Sequence, residues 1–234
     1  MAELVTFPQR CPAERSVDIL IVEDHTMLAH TLALALSDRF TCCVASLTGR
    51  ETVLEQAARL RPALALLDLG LAGNDGLDLI PGFRAVGAQV LVVTASTEES
   101  RLGAALSLGA SGWVSKAQPF ERLIEAAEAV MRHRSLVSDA DRPLLMQIGS
   151  ARLEAEREVR RRMARLTPRE REILWSLADG ESAVQIASTL SLTIGTVRSH
   201  IQSILGKLGV SSQLAAVARA RLPLTRDGPA RWVR

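Results

Sequence analysis

A chain of 234 residues that is 47% hydrophobic can fill two cores of ordinary size, while 3% aromatic content and no Tyr argue against an aromatic stacking sheet for single-stranded nucleic acid. The net charge of +2 conceals a division: residues 1–149 carry 13 Lys and Arg against 18 Asp and Glu, and residues 150–234 carry 15 against 8, so an acidic part precedes a basic part suited to a polyanion. The cysteines are Cys11, Cys42 and Cys43; neighbours on a strand point to opposite faces, so Cys42 and Cys43 are poorly placed to bridge each other, and a reduced, cytoplasmic setting is expected. The N-terminus has no signal-peptide pattern, and no apolar run reaches the roughly 18 residues that would span a bilayer.

Residues 1–16, with Pro8 and Pro12, read as a ragged leader. From Asp18 apolar runs alternate with helical stretches: strand 18–22, helix 27–36, strand 42–46, helix 49–60, strand 64–68, a Gly-rich loop (Gly73, Asn74, Asp75, Gly76) and helix 77–85. Strand 90–94, helix 99–108, strand 112–115 and helix 120–132 complete the series. Strands separated by helices of this length predict right-handed crossovers and a five-stranded, doubly wound parallel sheet, an α/β domain at 17–133. A connector follows at 134–165. From Asp141 to Arg165 it reads as one charged helix with Leu145, Ile148, Ala155, Val159 and Met163 at rough three-to-four spacing, open to interruption at Gly149 and to self-pairing.

Five residues follow the strand runs directly: ILIV (19–22) leads into Glu23 and Asp24, LALL (64–67) into Asp68, VLVV (90–93) into Thr94 and GWVS (112–115) into Lys116. In an open parallel sheet the carboxyl ends of the strands share one crevice. Three carboxylates, a hydroxyl and an ammonium gathered there suit Mg²⁺, which takes oxygen ligands, and a phosphoryl group whose charge needs compensation. Asp68 is central enough to attack phosphorus and become an acyl phosphate. His25 has no partner histidine or cysteine at metal spacing and reads as a loop or helix-start residue; His30 and His133 are given no role.

The stretches IVEDH (21–25), LLDLGLAGNDGLDLI (66–80), VVTAS (92–96) and GASGWVSK (109–116) resemble the acidic pair, phosphorylation loop, hydroxyl position and lysine position of bacterial response-regulator receiver domains. The resemblance implies that Asp68 is the phospho-acceptor, that Glu23, Asp24, Asp68 and the carbonyl of Gly70 hold Mg²⁺, and that Thr94 and Lys116 engage the phosphate. It also places Trp113 at the aromatic switch position. Ala117 stands where many members have a proline after the lysine, and Ala72 where a proline is common in the loop.

From Leu166 the pattern becomes all-helical. Thr167, Pro168 and Glu170 form a capping-box start for one helix; a second near Ser182–Leu190 directs Val184, Ile186, Ala187 and Leu190 inward; SLT (191–193) turns into a third at 194–208, closed by Gly209; a fourth spans Gln213–Arg221. This is a helix-turn-helix arrangement, whose later helix lies in the major groove. Its outer face offers Thr196, Arg198, Ser199, His200, Gln202, Ser203 and Lys207. Arg can grip guanine, Gln can read adenine, and Thr, Ser and Lys can hold phosphates. LTPREREIL (166–174) and VQIASTLSLTIGTVRSHIQSILGKLGV (184–210) resemble the LuxR-type DNA-binding domain, assigned to 166–222, and both halves together resemble the NarL/FixJ class.

The expectation is a non-enzymatic transcriptional response regulator with a receiver domain and an all-α helix-turn-helix domain. Its partners would be a sensor histidine kinase, double-stranded DNA and a second copy of itself, with no membrane role. The alternatives are a phosphorylation-independent regulator, or a protein-binding adaptor or phosphate sink. A haloacid-dehalogenase-like phosphatase fits poorly, because its nucleophile lies at the end of the first strand with a second aspartate two residues on, whereas here that strand ends in Glu23, Asp24 and His25.

Overall fold

The computed structural model describes residues 17–72 and 75–220. The apolar runs become strands β1 (Ile19–Val22), β2 (Cys42–Val44), β3 (Leu64–Leu67), β4 (Gln89–Thr94) and β5 (Gly112–Ser115). They form one sheet in the order β2-β1-β3-β4-β5, parallel throughout. All residues of β1 and β3 are buried, which is why these runs are continuously apolar and do not alternate. Ile19, Ile21, Leu64, Leu66, Leu91, Val93 and Val114 turn one sheet face towards α1 (Thr26–Leu36) and α5 (Phe120–Met131). The alternate strand positions face the side that carries α2 (Arg50–Leu60), α3 (Ile80–Ala85) and α4 (Glu99–Ser107).

The strand order reverses at β1, whose neighbours are β2 on one side and β3 on the other, so the crevice opens at the carboxyl ends of β1 and β3. β2 is shorter than the expected 42–46 run and stops at Val44. The expected helix 77–85 divides into a 3-10 turn, Gly76–Leu79, and α3, because Pro81 lacks the N–H needed to continue a helix and instead opens one at its first turn. Cys42 is a free thiol whose pKa burial pushes up to about 12.

The chain divides into two compact units, residues 1–152 and 153–234, with the boundary inside α6 (Arg142–Ala164). Gly149 does not interrupt this helix. It serves close approach instead: a Cβ there would lie 2.0 Å from the Gly103 carbonyl carbon of α4. In the second unit, α7 (Pro168–Ala178), α8 (Ala183–Thr189), α9 (Ile194–Leu208) and α10 (Gln213–Ala220) surround a core that includes Ile173, Leu174, Ile186, Val197, Ile201, Ile204 and Leu208. Thr167 and Ser182 cap α7 and α8 with reciprocal bonds to Glu170 and Gln185. Val184 departs from its expected inward position and is 61% exposed, since α8 has only two turns and buries Ile186 and Ala187. The leader, Gly73, Asn74 and the end of the fourth expected helix beyond Ala220 lie outside the described residues.

Candidate functional site

Residues just beyond β1, β3 and β5 meet as the strand ends predict. The Lys116 ammonium lies 2.9 Å from Asp68 Oδ2 and 2.6 Å from Glu23 Oε2. Glu23 and Asp68 are almost wholly buried, at 4% and 5% exposure. Burial alone would depress the Lys116 pKa, but hydrogen bonds to Glu23 and Asp68 outweigh it and raise the value. The Asp68 N–H donates to Val22 O at 2.9 Å and the Lys116 N–H to Thr94 O at 2.9 Å, so backbone bonds lock neighbouring strand tips together.

Asp24, half-buried, accepts a bond from the Ala72 N–H at 2.8 Å, which draws the loop after Asp68 towards the acid pair. Burial pushes the Asp24 carboxyl up, but the Ala72 bond and His25 prevail and hold it below the usual range. Thr94 is buried, and its Oγ1 accepts from the Ser96 N–H at 3.1 Å. Gly76 permits the loop to close: a Cβ there would stand 2.2 Å from Asp68 O. Trp113 is half-buried on β5, on the sheet face opposite Val114. The Lys116–Ala117 bond is trans, consistent with the cost of a cis bond without proline.

Three carboxylates against one ammonium leave this buried crevice with excess negative charge, and oxygen donors of that kind fit a hard divalent cation. His25 belongs to the cluster although sequence reasoning set it aside. Its Nδ1 lies 2.9 Å from Glu23 Oε1 and 3.0 Å from Asp24 Oδ1, and the bond to Glu23, followed by the charges of Asp24 and Glu23, raises its pKa. Adjacency to two acids was the available signal. A search for a second histidine or cysteine overlooked it.

In the second unit α9 buries Val197, Ile201, Ile204 and Leu208 and exposes Arg198, Ser199 and Gln202, with Thr196 and His200 half-buried. Thr193 caps the helix, accepting from the Thr196 N–H at 3.1 Å, and its hydroxyl also lies 2.8 Å from Thr196 Oγ1. Lys207 is the exception in the expected binding set. Its ammonium donates to Glu170 Oε1 and Oε2 at 2.7 and 2.6 Å, so it braces α9 against α7. Ser203 donates to the same carboxylate at 2.6 Å.

An acidic crevice with a lysine at the end of a parallel sheet, followed by a capped helix-turn-helix, defines a two-part signalling protein in which an acceptor domain precedes a DNA-binding domain. Residues 19–128 match the response regulator receiver domain family, and residues 164–220 match the luxR family of bacterial regulatory proteins. The chain is 32% identical over 203 residues to the nitrate/nitrite response regulator NarL of Escherichia coli, covering 85% of this chain and 92% of that protein. It is 28% identical over 207 residues to the transcriptional regulatory protein DesR of Bacillus subtilis, covering 88% and 96%. A solved RcsB–DNA complex is 23% identical with a TM-score of 0.46, covering 88% of this chain and 98% of that one. The chain belongs to the NarL/FixJ class of two-component response regulators and is a transcriptional regulator, not an enzyme. No helix among its described residues is long and apolar enough to cross a membrane.

Proposed function

We propose that this regulator, acting in the cytoplasm, takes a phosphoryl group on Asp68 from a sensor histidine kinase and thereby changes its binding to double-stranded DNA as a homodimer. The contact of Lys116 with both Asp68 and Glu23 carries this reading, because it sets a cation beside the one carboxylate that faces the crevice from its central strand. A carboxylate oxygen of Asp68 attacks phosphorus, the new O–P bond forms as the P–N bond to the donor histidine breaks, and the departing electron pair stays on the imidazole nitrogen, which takes up a proton. Glu23, Asp24, Asp68 and the Gly70 carbonyl would hold Mg²⁺. Bound there, the ion supplies positive charge against the phosphoryl oxygens.

Lys116 exchanges part of its ion pairing for the new phosphate, and Thr94, whose Oγ1 accepts from the Ser96 N–H, donates its own hydroxyl proton to a phosphoryl oxygen. Trp113, on the neighbouring strand, is the side chain that responds. In the DNA-binding domain Thr196, Arg198, Ser199, His200 and Gln202 are the groups offered to the major groove, Arg198 and Gln202 for base edges and the others for phosphates. The domains are drawn at 17–133, 134–165 and 166–222.

The test is to incubate the full-length chain with acetyl phosphate and Mg²⁺, weigh the intact protein, and sequence the duplex DNA it retains before and after treatment. Phosphate uptake should vanish in Asp68→Asn and on chelation of Mg²⁺, and retained DNA should share a common site after treatment. Specific retention that is unchanged by treatment would favour the phosphorylation-independent regulator. Uptake of phosphate with no specific DNA in either sample would favour the adaptor or phosphate sink.

A further inference from the structure

The loop after Asp68 must hold that carboxylate and the Gly70 carbonyl in one geometry, yet it carries Gly70, Gly73 and Gly76, residues that lose the most backbone freedom on ordering. Its base is closed by the Gly76 N–H, which donates to Leu69 O at 3.2 Å. A second brace comes from α4. One nitrogen of Arg101, Nη2, donates to Leu69 O at 2.6 Å and to Asp75 Oδ1 at 2.9 Å, joining the two ends of the loop. The two side chains are only 22% and 17% exposed, so this pair is less screened than an open surface salt bridge.

Two residues further along α4, the first half of α6 is seated. A Cβ on Gly103 would stand 2.0 Å from Leu145 O, which fixes a backbone-to-backbone crossing with Gly149. Ser107 Oγ lies 3.0 Å from Met146 O, and Arg152 reaches Glu98 and lies 3.1 Å from Ser100 Oγ. The same short helix therefore holds the acceptor loop with one side chain and the linker with its neighbours. Close-packed contacts of this kind shift between discrete arrangements and do not stretch continuously.

We propose that Arg101 is a positioning residue for phosphoryl transfer: it holds both ends of the loop after Asp68 in the receptive geometry and, through α4, ties that geometry to the first half of α6. The proposal rests on the reading that Asp68 takes the phosphoryl group. Arg101 itself touches neither the crevice carboxylates nor the reacting atoms in the contacts described; it acts through Leu69 and Asp75.

The test compares the wild-type chain with Arg101→Ala, Arg101→Lys and Asp75→Asn, using acetyl phosphate with Mg²⁺ for the rate of phosphorylation and calorimetry for Mg²⁺ affinity. Arg101→Ala should be phosphorylated about tenfold more slowly, the scale expected of a small displacement of reacting groups, and should bind Mg²⁺ more weakly. Arg101→Lys should recover part of the loss by reaching Leu69 O with one ammonium, and Asp75→Asn should show a milder version of it. Hydrogen exchange across residues 142–150 should change when beryllium fluoride loads the wild type and should not change in Arg101→Ala. Wild-type rate and Mg²⁺ affinity in Arg101→Ala, or a lysine variant no better than alanine, would overturn the proposal alone. A wild-type chain that takes up no phosphate would overturn the underlying reading and the proposal with it.

Discussion

Glu170 shows how one residue can be read two ways. In the sequence it completes a capping box, and in the structure it does so, accepting from the Thr167 N–H at 2.7 Å while its own N–H donates back to Thr167 Oγ1. The same carboxylate, however, also accepts from Lys207 and Ser203 of α9. Burial pushes its pKa up, but the bonds from Lys207, Ser203 and Thr167 prevail and hold it at about 2 against an ordinary 4.5. The unfolded chain therefore binds this proton at a higher pH than the folded one. The stabilisation is fully present above about pH 4.5 and is lost as pH falls towards 2. Glu170→Gln should lower the denaturation midpoint of the second unit at neutral pH and flatten its decline in acid; an unchanged acid limb would refute this assignment. Lys207 was legible as a cation on the outer face of a helix, but its partner lies 37 residues away in sequence, and only packing brings the two together.

Elements were largely readable because each carries its own boundary chemistry. Pro119 precedes α5, Thr193 caps α9, and Gly209 ends α9 in the left-handed region at φ 63°. Val184 was misread, and the effect of Gly149 on its helix was left open, because a local pattern says which residues could turn inward or break a helix, and not which neighbours are present to receive them. Val184 has no receiving surface among the described residues, whereas Gly149 meets another helix backbone. Gly149→Val would force its side chain into Gly103 and Ala104 of α4. It should cost the first unit about 1–3 kcal/mol in chemical denaturation, typical of an overpacked contact, whereas the same change at Gly206, which has open space around its Cβ position, should cost far less.

Across the whole molecule the charge division separates two chemistries: an acidic part suited to a cation and a basic part suited to a polyanion. With Lys207 paired to Glu170 and Arg198 the other cation on α8 and α9, these helices offer few phosphate contacts. Binding to random duplex DNA should accordingly fall only gently with salt, each neutralised phosphate adding about 0.9 to the slope of log K against log salt. Arg198→Ala should weaken specific retention by about 1–3 kcal/mol while changing that slope little if Arg198 reads a base, and should reduce the slope by about one if it holds a phosphate. The sequence by itself determined the parallel sheet, the acidic crevice and the helix-turn-helix, since hydrophobic period, turn residues and residues at strand ends are properties of short stretches of chain. Only the tertiary structure decided that Arg101 braces the loop after Asp68, that Lys207 is an internal brace and that Gly149 is a contact point. Each of these depends on a partner contributed by another segment or on the side-chain geometry of the folded site, and no local pattern encodes either.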